Sequence, residues 1–166
     1  MDAKTMDAKM LNDLPIVSVN GAARLGRVKE VLFATDPFRV AALRAADDWG
    51  ELLVPFERVS SFGKDAIMVG TPDDGERARQ QAFKELRSLG ELERVKVVDE
   101  TGAYIGTVKT LEFEPDSGRV QRIVAASGGL LGVAAATTTV EATDLRGVAD
   151  DLLTISKIRE EPQAAH

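Results

Sequence analysis

The sequence predicts an all-β protein: two small, similar β-barrels in tandem, joined by a linker helix. Two observations predict the barrels. The stretch "LGRVKEVLFATDPFRV" (Leu25 to Val40) recurs as "IGTVKTLEFEPDSGRV" (Ile105 to Val120), and each copy shows short strand-like runs broken by closely spaced turn signals, the pattern of a small closed sheet. A third observation predicts the helix, because the segment between the copies has helical periodicity.

The first match between the copies needs no gap. Identical residues stand 80 positions apart at Gly26 and Gly106, Val28 and Val108, Lys29 and Lys109, Phe33 and Phe113, Asp36 and Asp116, Arg39 and Arg119, and Val40 and Val120. A second match, offset by 86, aligns "VPFERVSSFGKDAIMV" with "VEATDLRGVADDLLTI". The additional residues fall around "SGGLLG", where a loop insertion is tolerated.

The elements of each copy follow from local chemistry. A strand around Val28 to Phe33 ends at "DPF", and the equivalent strand of the second copy ends at the turn "PDSG". The turn "DDWG" joins the next strand to "ELLVPF", and short strands "IMV" and "LLTI" close the copies. Gly26 and Gly106 lie just inside a strand, which predicts a bulge, a tight bend or a close backbone approach at a barrel corner.

Between the copies, "TPDDGERARQQAFKELRSLG" predicts the linker helix. Thr71 and Asp74 resemble a capping box, Pro72 suits the first helical position and Gly90 can end the helix. The apolar stripe comprises Ala78, Ala82, Phe83, Leu86 and Leu89. The predicted organisation is a disordered leader (1–13), a first barrel (14–70), the linker helix (71–90), a second barrel (91–158) and a flexible tail (159–166).

Composition narrows the function classes. The 21 Lys and Arg residues against 27 Asp and Glu give a net charge of -6, which disfavours direct nucleic-acid binding and docking on an anionic membrane. The first residues have no apolar signal-peptide core. The uncharged run from Ile123 to Val140 is rich in Gly and Thr, so it predicts strand, loop and strand rather than a membrane span. These features predict a cytoplasmic protein.

With these motifs in hand, both copies resemble the PRC-barrel domain. The resemblance rests on "LGRVKEVLF" and "IGTVKTLEF", on "VPFERV", and on the glycine-rich "SGGLLGV" of the second copy. It covers nearly all of the chain from Leu14 to Ile158, although the second copy reads "TVEATDL" where the family has a proline and an aromatic residue. The family includes the cytoplasmic domain of the photosynthetic reaction centre H subunit and the C-terminal domain of the ribosome maturation factor RimM. The resemblance implies a protein-docking and assembly module rather than a catalyst.

Two loops supply the candidate partner-binding residues. Trp49 lies in the "DDWG" turn, and tryptophan is enriched among interface anchors; capping the open end of its barrel is the alternative that we favour for it. Leu130 and Leu131 lie at the centre of "GGLLG". Exposed leucines can mark a docking surface, and folding back between the barrels is an equal alternative.

The sequence predicts no catalytic, cofactor or metal site. The single histidine is His166, in the predicted tail, and cysteine is absent. Four acid pairs fall in predicted turns or at the predicted helix start, which explains them without chemistry: Asp47 and Asp48, Asp73 and Asp74, Asp99 and Glu100, and Asp150 and Asp151. "GGLLG" lacks the Lys and Ser or Thr of a phosphate-binding loop, and three cations, Arg24, Arg27 and Lys29, form a small basic cluster.

These observations predict a non-enzymatic docking or scaffold protein whose two barrels form a pseudo-twofold pair. The protein partner is unknown, and further self-association stays open. Two alternatives remain: a ribosome- or RNA-associated assembly factor resembling RimM, and a regulator that binds a small ligand or an ion.

Overall fold

The computed structural model describes residues 4–48, 50–72, 76–77, 85–128 and 136–156, with only the backbone described at 76–77. The described residues form β-strands, short 3₁₀ turns and one short helix, α1 (Leu89–Leu92). The strands up to residue 70 are β1 (Met6–Asp7), β2 (Pro15–Ser18), β3 (Arg24–Thr35), β4 (Phe38–Asp47), β5 (Gly50–Pro55), β6 (Val59–Phe62) and β7 (Ile67–Val69). The later strands are β8 (Glu76–Arg77), β9 (Arg87–Ser88), β10 (Lys96–Asp99), β11 (Tyr104–Phe113), β12 (Val120–Ser127), β13 (Ala136–Glu141), β14 (Leu145–Val148) and β15 (Leu152–Ile155).

The two repeats form two sheets with the same strand order. The first sheet runs β6-β7-β2-β3-β4-β5, and the second runs β14-β15-β10-β11-β12-β13. Each contains one parallel pair, β2 with β7 and β10 with β15. The register agrees as well, because Ile16 is opposite Ile67 and Val97 is opposite Leu153. The all-β character and the duplication predicted from the sequence are therefore confirmed.

The two repeats differ in length at one hairpin. The link between β4 and β5 is residues 48–49, whereas the link between β12 and β13 is residues 128–135. The strands on either side end at equivalent pairs, Asp47 with Gly50 and Ser127 with Ala136. The insertion therefore lies in a hairpin link, where the sequence placed it.

The two repeated glycines occupy strand bulges. A register shift interrupts the pairing of β2 with β3 beside Gly26, and the pairing of β10 with β11 beside Gly106. Gly26 has a φ of +135°, and a Cβ there would lie 2.5 Å from the carbonyl oxygen of Ala46. At Gly106 the equivalent distance, to the oxygen of Ala126, is 3.0 Å. The close backbone approach predicted for these glycines is confirmed.

In each sheet, the two described strands on either side of a 3₁₀ turn are not paired with each other. A 3₁₀ turn joins β5 to β6 at Phe56–Arg58, and another joins β13 to β14 at Ala142–Asp144. In the described part of the chain, no hydrogen-bonded ladder links the two strands that flank either turn. A 3₁₀ turn in place of a tight hairpin turn redirects the next strand away from its predecessor. Among the described residues, the hydrogen-bonded ladder of each sheet therefore does not close into the predicted barrel.

The predicted linker helix is not evident among the described residues. Within 71–90, Glu76–Arg77 forms β8 and pairs with β5, while Arg87–Ser88 forms β9 and pairs with β3. Among the described residues of this segment, α-helix is present only from Leu89, where α1 starts. The backbone groups of these short segments bond to neighbouring strands instead of to each other, so tertiary pairing outweighs local helix propensity.

The described part of the predicted disordered leader is ordered. β1 pairs with β11, and a 3₁₀ turn at Ala8–Leu11 follows it. The side chains of Ala8 and Leu11 are fully buried. Burial of these apolar groups stabilises the segment, and its sequence shows no periodicity that would have predicted this.

One hydrophobic core serves both repeats. A single cluster of buried side chains includes Phe33 and Leu43 from the first sheet and Phe113 and Ile123 from the second. Repeats of this size are near the lower limit for a self-sufficient core, which explains why they share one. Across the described ranges, no helix is long and apolar enough to cross a membrane.

Candidate docking surface

Each repeat receives a short lead strand from the chain ahead of the other repeat. β1, which precedes the first repeat, pairs with β11 of the second, so that Met6 is opposite Phe113. β9, which precedes the second repeat, pairs with β3 of the first, so that Arg87 is opposite Phe33. Phe33 and Phe113 are equivalent residues, so the exchange of lead strands is reciprocal.

A side-chain cap fixes the turn after each lead strand. The Asp7 carboxylate accepts a hydrogen bond from the Lys9 N–H (2.9 Å) and another from the Thr110 hydroxyl on β11. The Ser88 hydroxyl oxygen accepts one from the Glu91 N–H (3.1 Å). Such caps satisfy backbone N–H groups that the first turn leaves unpaired. The two turns bury four side chains in the shared core: Ala8, Leu11, Leu89 and Leu92.

The repeats also meet at equivalent residues. Arg39 forms an antiparallel bridge with Arg119, its counterpart 80 residues later, and the Val40 N–H donates to the Gly118 carbonyl oxygen (2.8 Å). A residue pairs with its own equivalent where an approximate twofold axis passes. The reciprocal lead strands and this bridge therefore describe the same pseudo-twofold relation.

Aromatic rings close the contact on one side of the bridge. Phe62 of β6 packs edge-on against Phe113 of β11, with ring centroids 5.4 Å apart. Phe56 stacks on Phe62 with a centroid separation of 5.8 Å. Aromatic pairs of this kind stabilise a contact beyond their buried area, so they favour a fixed orientation of the two sheets.

The sequence-predicted docking residues lie outside the described residues. Trp49 belongs to the link between β4 and β5, and Leu130 and Leu131 belong to the link between β12 and β13. β5 and β13 hold the same place in their sheets. By their position along the chain, both predictions fall between corresponding pairs of strands, and their partner-binding role stays a prediction.

The outer faces of the two sheets have different chemistry. On the first sheet, a small apolar cluster separate from the main core comprises Leu32, Ala42, Leu53 and Leu86. Leu86 directly precedes lead strand β9, so this lead segment covers the face as well as adding a strand to it.

On the second sheet the corresponding face is polar. The Arg122 guanidinium lies 3.2 Å from the Glu112 carboxylate and 3.3 Å from that of Glu141, and it also donates to the Thr5 hydroxyl (3.4 Å). Hydrogen bonds to Glu112 first, and to Glu141 second, raise the pKa of Arg122 above its ordinary value. Thr5 precedes lead strand β1 as Leu86 precedes β9. These equivalent residues therefore contact a polar face in one repeat and an apolar face in the other.

A polar cleft of about 570 Å³ lies between the second lead segment and the turn before β15. Arg87 spans it by donating to the carbonyl oxygens of Ala149 (2.6 Å) and Asp150 (2.5 Å). Among the residues that the structure describes, no group of three or more acidic or histidine side chains is placed to hold a metal ion. The remaining lining residues are mostly charged: Glu30, Ser88, Gly90, Glu91, Arg94 and Asp151.

The predicted basic cluster lies on exposed positions of β3. Arg27 donates to the backbone carbonyl of Asp13 (2.8 Å), and the Lys29 ammonium lies 4.0 Å from the Asp13 carboxylate. An acidic neighbour therefore offsets part of the positive charge, which weakens this cluster as a phosphate-binding surface.

Sequence reasoning missed the exchange of lead segments. The signal was present in "DAKML" (Asp7–Leu11) and "SLGEL" (Ser88–Leu92), which share a capping residue and two apolar positions at the same spacing. Segments this short match too many places in any chain to be recognised without the strands that they join.

Duplicated all-β units with one strand order, reciprocal lead strands and a shared core define a tandem repeat of one small domain. A family model for the PRC-barrel domain matches the chain twice, over residues 4–75 and 84–155. The chain belongs to the PRC-barrel domain family. Both matched ranges begin just ahead of a lead strand. No curated protein sequence matches the chain.

Proposed function

We propose that this protein is a non-catalytic docking module of the cytoplasm, in which two PRC-barrel domains form a pseudo-twofold frame that presents two different hairpins to a protein partner. The observation that carries the proposal is the way in which the two repeats are joined. Lead strands are exchanged and one core is shared, so the chain contains within itself the paired arrangement that two single-domain chains would need to assemble.

The two hairpin links supply the asymmetry that partner recognition needs. Equivalent in position, they differ in length and content, with Trp49 in one and Leu130 and Leu131 in the other. Large apolar side chains on connecting segments of a fixed scaffold are typical interface anchors. The frame sets the separation of the two hairpins, so a partner that contacts both gains in affinity over a partner of either one.

A crosslinking pull-down from the source cells tests the proposal, with the full chain as bait and its Trp49→Ala and Leu130→Asp variants beside it. We expect each variant to recover at least tenfold less of the same protein, because loss of one anchor costs on the order of 2–4 kcal/mol of binding energy. The matched control is Met10→Ala, which removes an exposed apolar side chain from the 3₁₀ turn after β1, outside both hairpin links.

Equal recovery by all variants would remove the hairpins from the proposal. Recovery of ribosomal subunits that falls steeply with added salt would favour the alternative of a ribosome-associated factor. A rise in melting temperature with one metabolite or ion, and no recovered protein, would favour the ligand-binding regulator.

A further inference from the structure

The outer edge of β13 carries no neighbouring strand in the described part of the chain. The equivalent edge of the first sheet is occupied. There β8 pairs with β5, placing Leu52 opposite Arg77 and Leu53 opposite Glu76. The fold therefore accepts an additional antiparallel strand at this edge. In the second sheet, no described strand pairs with the same edge at Thr138 and Thr139.

The open edge also lacks the usual protection against pairing. Natural edge strands are blunted by lysine, proline, inward charges or a covering segment. β13 reads "ATTTVE", and its only charged residue is the last, Glu141, which Arg122 holds at 3.3 Å. Three consecutive threonines give it high strand propensity.

We propose that β13 pairs antiparallel with β13 of a second copy of this chain, about a twofold axis at Thr139, so that two sheets become one. Such an axis sets Thr139 opposite Thr139 of the second copy, and Thr137 opposite Glu141. Threonines facing each other across strands are a favourable pair, and the two glutamates are kept apart. Edge strand β6 ("VSSF") is also free of charge and proline but spans only four residues, whereas β13 spans six.

A second copy suits this edge better than an unrelated strand because the edge is self-complementary in this register. A six-residue edge makes a small interface, so we expect weak association that depends on concentration. This self-association is independent of the hairpin docking proposed above, and either can fail without the other.

Sedimentation velocity of the full chain over a wide concentration range tests the pairing. We expect the wild-type mass to rise from one chain toward two, and Thr139→Lys or Thr139→Glu each to weaken dimerisation at least tenfold by setting like charges opposite each other. An equimolar mixture of the two variants is expected to dimerise again, because lysine then faces glutamate. The matched control is Ser61→Lys, which adds the same charge to an exposed residue of edge strand β6.

A wild-type chain that stays monomeric at every concentration would overturn the proposal. So would a dimer that survives Thr139→Lys, or variants whose mixture stays monomeric. Circular dichroism of both variants shows that they are folded, and the mixture reports on pairing specifically because only folded chains with opposite charges regain it.

Discussion

On the outer face of the first sheet, Leu32, Ala42 and Leu53 form an apolar cluster. The equivalent positions of the second sheet hold polar residues: Glu112, Arg122 and Thr139. The inner faces show no such divergence, since Val31, Phe33 and Leu43 are matched by Leu111, Phe113 and Ile123, all fully buried.

The difference shows which positions the fold constrains. Inner positions pack against both sheets and both lead segments, so a change of size or polarity there disturbs the whole core. On the outer faces, each repeat is contacted by one residue of a lead segment. Leu86 covers the leucines of the first sheet, and Thr5 accepts a hydrogen bond from Arg122 on the second. After duplication, the residues of one sheet edge and one outer face could therefore change while the inner faces and the shared core stayed the same.

The largest expected loss of stability comes from removing a buried side chain of either lead segment. Leu11→Ala and Leu92→Ala should each lower the free energy of unfolding by about 2–5 kcal/mol, because each side chain is fully buried in the shared core. Denaturant unfolding followed by circular dichroism measures the loss, with Met10→Ala, which is 67% exposed, as the control. Two separate unfolding transitions in either variant would contradict the shared core.

The repeated glycines sharpen the comparison. Gly26→Ala should cost about 2–4 kcal/mol, since it combines a positive φ with a Cβ 2.5 Å from a backbone oxygen. Gly106→Ala should cost about 1–2 kcal/mol, because the clash is milder. Gly50→Ala is the control for conformation alone: its φ is +126° with nothing within 4 Å. Equal losses at Gly26 and Gly106 would refute the ranking.

Exchanging outer residues tests whether the two faces are independent. Leu53→Thr should destabilise by about 1–2 kcal/mol, because it removes apolar area from the covered cluster. The reciprocal Thr139→Leu, measured at low protein concentration, should change stability by less than about 0.5 kcal/mol, since this position is exposed. Thermal unfolding of the single and double variants gives the comparison, and a large loss from Thr139→Leu would show that this face is not free to change.

The smallest expected loss of stability is for a change on the polar outer face of the second sheet. Arg122→Gln should destabilise less than any core or glycine variant above, and most of the loss should disappear at high salt because the ion pairs are half-exposed and screened. Melting temperatures at low and high ionic strength measure it, with exposed Arg24→Gln as the control. A loss that persists unchanged in high salt would mean that Arg122 acts through packing rather than charge.

The sequence predicted the repeated strands well because each has a local signature. Alternating apolar residues around Val28 and Val108, glycines at the bulges and turn residues after each strand all act within a few positions. The insertion at "SGGLLG" was located for the same reason. By contrast, the segment 71–90 has helical periodicity, yet Glu76–Arg77 and Arg87–Ser88 pair as strands. The candidate residues in the hairpin links lie outside the described residues, so their role stays a prediction.

The sequence alone determined the duplication, the succession of short strands along each copy and the resemblance to the family, because these depend on periodicity and turn chemistry that occur in both copies. Only the tertiary structure decided that the lead segments cross between repeats, that the core is common to both, and that one sheet edge is paired while its counterpart has no paired strand among the described residues. Those outcomes depend on which distant backbone groups and apolar side chains meet. Such meetings leave no periodic trace in segments as short as Met6–Asp7 or Arg87–Ser88.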